Sequence, residues 1–239
     1  MPANDHHEWL EAYEKREETT MSLTITKPEG GSFELVPAGT HTAVCIKMID
    51  FGPQVSEYNG ERKEQPKVRL VWEVPAERVK WEKDGEEFEG PMTIGKTYTA
   101  SMFEMASLRQ HLESWRGKAF SKEEEMGFNL INVLGKPCTL GVQHDEYQGK
   151  PYAKITSVSP VMKGVEVKAE NDLFQFDFDA HTEAELDALP DWMKDKVMDG
   201  KALLAEQKAR VSGEKPAGGF RQTENPEPAY EDGGDEIPF

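Results

Sequence analysis

Basic and aromatic side chains recur at strand-like spacing through the middle of the chain. Lys67 and Arg69 stand two residues apart, as do Tyr152 and Lys154, with Lys150 before them. Residues two apart on an extended segment project to one side. A face that mixes cationic groups with aromatic rings offers ion pairs to phosphates and flat surfaces to bases. That is the chemistry of sequence-tolerant single-strand binding. Lys47, Lys96, Tyr98 and Tyr147 extend the set. Arg62 and Lys63, and Trp81 with Lys80 and Lys83, lie in polar stretches that could close over a bound strand. Trp72, among Val68 and Leu70, reads as core, and so does Trp115.

A second chemical feature is the terminus. Asp232, Asp235 and Glu236 lead into Ile237, Pro238 and Phe239. Phe239 carries an α-carboxylate beside its ring, so one residue offers an apolar plug and a charge. This suits capture in a small apolar pocket with a basic rim.

Catalytic signals are poor, and no enzyme is expected. The chain has no phosphate-binding or dinucleotide glycine loop, no H-E-x-x-H and no C-x-x-C. Its six histidines (6, 7, 41, 111, 144 and 181) are dispersed, and His6-His7 without a third ligand is a poor metal site. Asp50, Glu73 and Lys67 could be drawn as a metal nuclease, but such chemistry needs a two-metal ligand set. Neither cofactor nor metal is expected. Cys45 and Cys138 lie in apolar strand-like runs and read as buried free thiols of a reducing cytosol.

The formal charge is −17, which argues against a nucleic-acid partner until its distribution is read. Residues 35–166 hold 19 acidic and 17 basic residues, net −2. Residues 1–34 are net −5 and residues 167–239 net −10. The middle can therefore present a basic face while the ends carry the acidity. With 37 % hydrophobic and 31 % charged residues and a mean hydropathy of −0.70, the 239 residues are too polar for one compact domain. Part of the chain is expected to be disordered. There is no run of eighteen apolar residues, so no transmembrane span is expected, and the N-terminus lacks the pattern of a secretory signal.

These side chains need strands to position them. Period-two patterns predict strands over 42–51, 67–74, about 95–100, 138–143 and 150–158. Residues 52–66 and 75–95 read as long polar loops, the second with Asp84-Gly85 as a hairpin signal. Ser101 and Glu104 have capping-box spacing, before Met105, Leu108, Leu112 and Trp115 on one helical face, with Gly117 as the stop. Ser121 and Glu124 repeat the box, as do Thr182 and Glu185. Phe174, Phe176 and Phe178 alternate with polar residues, as a sixth strand or an acidic-aromatic strip in the barrel's groove. Pro190 suits the first turn of a helix carrying Trp192, Met193 and Val197 and ending at Gly200.

Three strands, a helical segment and two strands is the order of the oligonucleotide-binding (OB) barrel; an open antiparallel sheet with a helix fits as well. The expectation is mainly β with helices: a five-stranded OB-type barrel over 35–161. An extension over 1–34 precedes it. An acidic-aromatic strip with helices packing on the barrel follows over 162–210, then a disordered acidic tail over 211–239.

Two resemblances sharpen this. The last five to nine residues closely resemble the C-terminal tip of bacterial single-stranded DNA-binding proteins, departing from it at Gly233-Gly234. That likeness implies recruitment of replication or repair enzymes and competition with DNA. From about Leu35 to Val161 the chain also looks like small bacteriophage-encoded proteins of the same binding type. Val-Pro-Ala-Gly-Thr (36–40), Leu-Glu-Ser-Trp-Arg-Gly-Lys (112–118) and Gly-Lys-Pro-Cys (135–138) carry that likeness. It implies a role in phage replication or recombination in the cytoplasm of a bacterial host cell. Two other readings stay open: a protein-interaction adaptor, or a DNA-mimicking inhibitor that intercepts host replication enzymes through the tip.

Overall fold

The strands come from alternation. In 67–74, Val68, Leu70, Trp72 and Val74 all turn inward and are buried, while Lys67, Arg69, Val71 and Glu73 face the other way. In the computed structural model, which describes residues 34–58, 61–83 and 85–212, this stretch is the middle of a much longer strand. The strands are β1 (Gly39–Tyr58), β2 (Glu61–Lys83), β3 (Glu86–Thr99), β4 (Pro137–Tyr147), β5 (Lys150–Ser159) and β6 (Phe174–Phe176). The helices are α1 (Ser107–Arg116), α2 (Lys122–Glu125), α3 (Glu183–Asp187) and α4 (Asp191–Ser212), with a 3-10 turn at Leu130–Val133. The two expected long loops are corrected: 52–66 and 75–95 are largely paired strand, extending the β1–β2 and β2–β3 hairpins.

Five strands form one antiparallel sheet in the order β3-β2-β1-β4-β5. The sheet curls so that its end strands, β3 and β5, approach each other. This half-barrel is mainly β, carries a few helices and is consistent with an OB-like barrel. Its interior is closed by α1, from which Leu108, Leu112 and Trp115 enter the core beside Trp72 and Tyr98. The Trp115 indole donates to the Pro137 carbonyl at 2.9 Å. Gly117 ends α1 with φ +67, the left-handed geometry that glycine adopts freely.

Start signals fare unevenly. Ser121 and Thr182 both make full capping boxes, with Glu124 and Glu185. Ser101 does not: α1 begins at Ser107 with Ala106 as its N-cap, and Met105 is exposed rather than core. The Ser101 hydroxyl instead accepts the Phe103 N–H at 3.3 Å, two residues on. The Arg109 guanidinium donates to the Met102 carbonyl (2.8 Å), Glu113 (3.0 Å) and Glu125 (2.6 Å), tying this stretch to α1 and α2. Burial pulls Glu113 toward protonation, but the Phe120 N–H and Arg109 outweigh it and leave its carboxyl below the usual range.

Strand β1 is buried on both faces. Ala43, Cys45 and Met48 enter the barrel, whereas Val44, Ile46, Ile49 and Phe51 belong to a second core outside it. Two bulges allow this, between Cys45 and Lys47 and between Asp50 and Gly52. At the second, Gly52 has φ +66, and a Cβ there would lie 2.5 Å from the Phe178 ring. Strand β4 pairs with β1 only over Gly39–Val44. Beyond the first bulge β6 takes over that edge in parallel, matching Lys47–Ile49 to Phe174–Phe176.

The second core is completed by Phe176, Phe178, Leu189, Met193 and Val197, from β6 and α4 with their connections. Fully burying an aliphatic or aromatic side chain contributes about 1.5–3 kcal/mol, so residues 174–204 are integral to the fold. Helix α4 also runs on to Ser212, further than its sequence suggests. Cys45 and Cys138 are buried free thiols, as expected. Burial pushes the Cys45 thiol up to about 12 and raises Cys138 as well, so neither is a thiolate near neutrality.

Candidate nucleic-acid interface

The β4–β5 hairpin turns through Gln148 and Gly149, both with positive φ (50° and 76°), the two-residue geometry that matches strand twist. The turn fixes the register: Tyr147 opposite Lys150, Asp145 opposite Tyr152, Gln143 opposite Lys154. Val142 and Ile155, of the opposite parity, are buried in the barrel. Tyr147, Lys150, Tyr152 and Lys154 therefore share the outer face. Same-face neighbours along a strand lie about 6.7 Å apart.

Tyr147 is exposed and Tyr152 half-buried. Lys154 Nζ lies 3.6 Å from Asp145. The Glu146 backbone N–H, helped by Tyr152 and Lys154, holds the Asp145 carboxyl below its usual range. Burial, then Asp145, raises the Tyr152 phenol, so it stays protonated and able to donate. Two rings and two ammonium groups on one ribbon can stack bases and pair phosphates.

A second group lies on the outer face of β2 and β3, but in other company. Lys67 Nζ donates to Thr99 (2.7 Å), and Arg69 donates to Thr97 (3.1 Å). The Arg69 guanidinium sits 5.0 Å over the Trp192 ring of α4. On its other side, a Cβ at Gly95 would come within 2.8 Å of it, so the glycine makes its room. Arg69 is thus held between β3 and the C-terminal helix. Lys47 is exposed, 5.9 Å from the Phe174 ring.

The remaining candidates scatter. Tyr98 is a correction: it is 1 % exposed, with its hydroxyl 2.8 Å from His111 Nδ1, so its ring cannot stack on a ligand. Lys96 shares the inward side of β3 and lies over that ring at 5.2 Å. Arg62, at the far end of the β1–β2 hairpin, pairs with Glu64 (3.2 Å) and Glu206 (3.6 Å). Lys63 is exposed beside it. Trp81 stands on the outlying part of the β2–β3 hairpin, stacked on Phe88. Asp232, Asp235, Glu236, Ile237, Pro238 and Phe239 lie outside the described residues, as do the N-terminal extension through residue 33 and the tail from residue 213.

The nuclease drawing finds no support. Glu73 is fully buried and accepts three hydrogen bonds from Glu170 and Asn171. Among the described residues no group of three or more His, Cys, Asp or Glu could hold a metal ion, and no helix is long and apolar enough to cross a membrane.

Sequence reasoning missed Phe88 and Gly90 beside Trp81, and Thr97 and Thr99 beside Arg69 and Lys67. Phe88 and Gly90 do keep a two-residue period, but the charged residues around them give the stretch the composition of a loop. Comparison with models of known protein families gives no match, and comparison with curated proteins gives none either.

Proposed function

We propose that the chain binds single-stranded DNA without sequence preference, through an OB-type barrel whose contact surface includes the outer face of β4 and β5. The observation that carries this reading is the alignment of Tyr147, Lys150, Tyr152 and Lys154 on one exposed ribbon. The curled sheet, with β3 approaching β5 and α1 between β3 and β4 in sequence, supports it. The acidic tail recruits replication or repair enzymes through Ile237, Pro238 and Phe239. The setting is bacteriophage replication or recombination in the cytoplasm of a bacterial host, with no catalysis and no cofactor; this part rests on the sequence resemblances.

Fluorescence titration of the full chain with oligo-dT and with duplex DNA tests the reading. Oligo-dT binds, duplex binds more weakly, and affinity falls steeply with salt. Tyr152→Ala costs about 1–3 kcal/mol of binding, the worth of one stacked base. Lys154→Ala weakens binding and flattens the salt dependence. Full affinity in the double variant would remove this face from the interface.

One observation favours a second reading. Residues 174–204 cover the outer face of β1, and Trp192 occupies Arg69. A barrel with that face filled could be an adaptor or an inhibitor of host replication enzymes, and would bind neither DNA form.

A further inference from the structure

The β2–β3 hairpin continues past a register break between Val74 and Arg78 as a two-stranded ribbon, Arg78–Lys83 against Glu86–Pro91. Strand β1 does not follow it: the last β1–β2 pair in that direction is Val44 with Glu73. A lone two-stranded ribbon is marginal in water. This one nevertheless spends two large rings on an exposed face. Trp81 and Phe88, directly opposite, stack at 6.0 Å and 16°, and remain 47 % and 40 % exposed. The adjoining pair on that face is Val79 and Gly90. A Cβ at Gly90 would lie 2.9 Å from the indole, so glycine lets the ring lie flat along the ribbon.

The charges around this platform are wrong for nucleic acid. Residues 78–91 contain five acidic and three basic residues. Arg78 is committed to Glu89 (3.3 Å) and Glu170 (2.6 Å), and Lys80 lies 3.9 Å from Glu89. On the face opposite the rings, Glu82 and Glu87 are exposed and stand directly across from each other. Like charges at such positions are destabilising, and a cation between them removes the penalty. A flat apolar platform on one side and a facing glutamate pair on the other complement a cationic cleft with an apolar wall.

We propose that this ribbon is a protein-docking arm that inserts into a basic cleft of a partner protein, and that Trp81 serves this contact rather than DNA. Guanidinium groups suit both sides, stacking on an indole and bridging two carboxylates.

The test uses the full chain labelled with 5-fluorotryptophan, which gives a separate fluorine resonance for each of its five Trp. Trp81→Phe assigns the relevant line, and hexa-arginine is the probe. The Trp81 line shifts saturably with hexa-arginine and less with hexa-lysine. Glu82→Gln with Glu87→Gln weakens the response about fivefold, the scale of a cross-strand charge term. These surface changes relieve repulsion and leave the fold intact, as unchanged lines from Trp72 and Trp115 would verify. An unmoved Trp81 line, or a response untouched by the double variant, overturns the proposal. Movement of that line with oligo-dT instead would make the arm a nucleic-acid contact. Dependence on protein concentration alone would make it a contact between copies.

Discussion

Glu73 and Asp50 show how single carboxylates shape this fold. Glu73, on the outer side of β2, accepts the Glu170 N–H at 2.7 Å and the Asn171 N–H and amide at 2.9 and 2.6 Å. Glutamine in its place would present a donor to one of those N–H groups. Glu73→Gln should cost about 1–3 kcal/mol, the penalty of one buried unpaired group, and Glu73→Ala more. A urea midpoint unchanged by either would show that the 170–171 segment is not pinned here. Asp50 is a pH-linked case. Burial, ahead of Asp177 and Asp179, raises its carboxyl, while the Gly52 N–H at 2.8 Å pulls the other way. The folded chain therefore holds that proton more tightly than the unfolded chain. Stability from this group is present below the unfolded value and is lost as pH rises through the folded one. Asp50→Asn keeps the acceptor for Gly52 and removes the charge. It should raise the melting temperature at neutral pH, with the gain vanishing at acid pH; an equal gain at both would refute the linkage.

At the scale of elements, α4 shows packing overriding local helix propensity. Val197 and Leu203 are buried, yet Gly200 sits at the point of contact in the helix interior. A Cβ there would clash with the Phe51 carbonyl oxygen. Glycine to alanine inside a helix normally gains up to about 1 kcal/mol. Here the helix would have to move off β1, and overpacking of this kind costs about 1–3 kcal/mol. Gly200→Ala should lower stability despite its better propensity, measurable as a reduced denaturation midpoint. A stabilised variant would mean that α4 does not approach β1 this closely. The far end of α4 is tied by polar contacts: Gln207 and Arg210 donate to Glu64, and the two side chains hold its carboxyl below its usual range. That tether is present near neutrality and weakens as pH falls through the carboxylate range.

For the whole molecule, charge is partitioned between a nearly neutral middle and acidic ends, and the strongest test is a pair of truncations. Residues 167–239 are net −10. A tethered anion acts on a nearby basic face at high effective concentration, and most strongly at low salt. Deleting residues 213–239 should tighten oligo-dT binding at low salt, with the gain shrinking as salt rises. Deleting only Phe239 should abolish capture by host enzymes that read single-strand-binding-protein tips. It should change oligo-dT affinity by less than about twofold, or ~0.4 kcal/mol. Titration of both variants, with tip-peptide competition for the host partner, checks both outcomes. Unchanged partner binding without Phe239 would end the docking role of the tip.

Much of the barrel is legible in the sequence because burial on one face leaves a two-residue period. Val68, Leu70, Trp72 and Val74 on β2, and Cys138, Leu140 and Val142 on β4, are inward as their alternation implies. Caps are legible too, because they act within four residues: Ser121 and Thr182 through their hydroxyls and Gly117 through its left-handed backbone. The long hairpins are not, because their outer halves bury little and their polar composition reads as loop. Ser101 has the right spacing for a cap, yet its hydroxyl bonds the Phe103 N–H in a local turn and the helix starts later, after Ala106. Alternation also gave Lys96 and Tyr98 a common side without saying which side. The register of β3 on β2 decides that: Tyr98 stands opposite Val68, and Lys96 opposite Leu70, on the barrel's interior side. Lys150, Tyr152 and Lys154 follow the same rule on β5 and come out on the solvent side. Local periodicity records which residues share a face, whereas pairing between distant strands determines whether that face meets the core, the C-terminal helix or water.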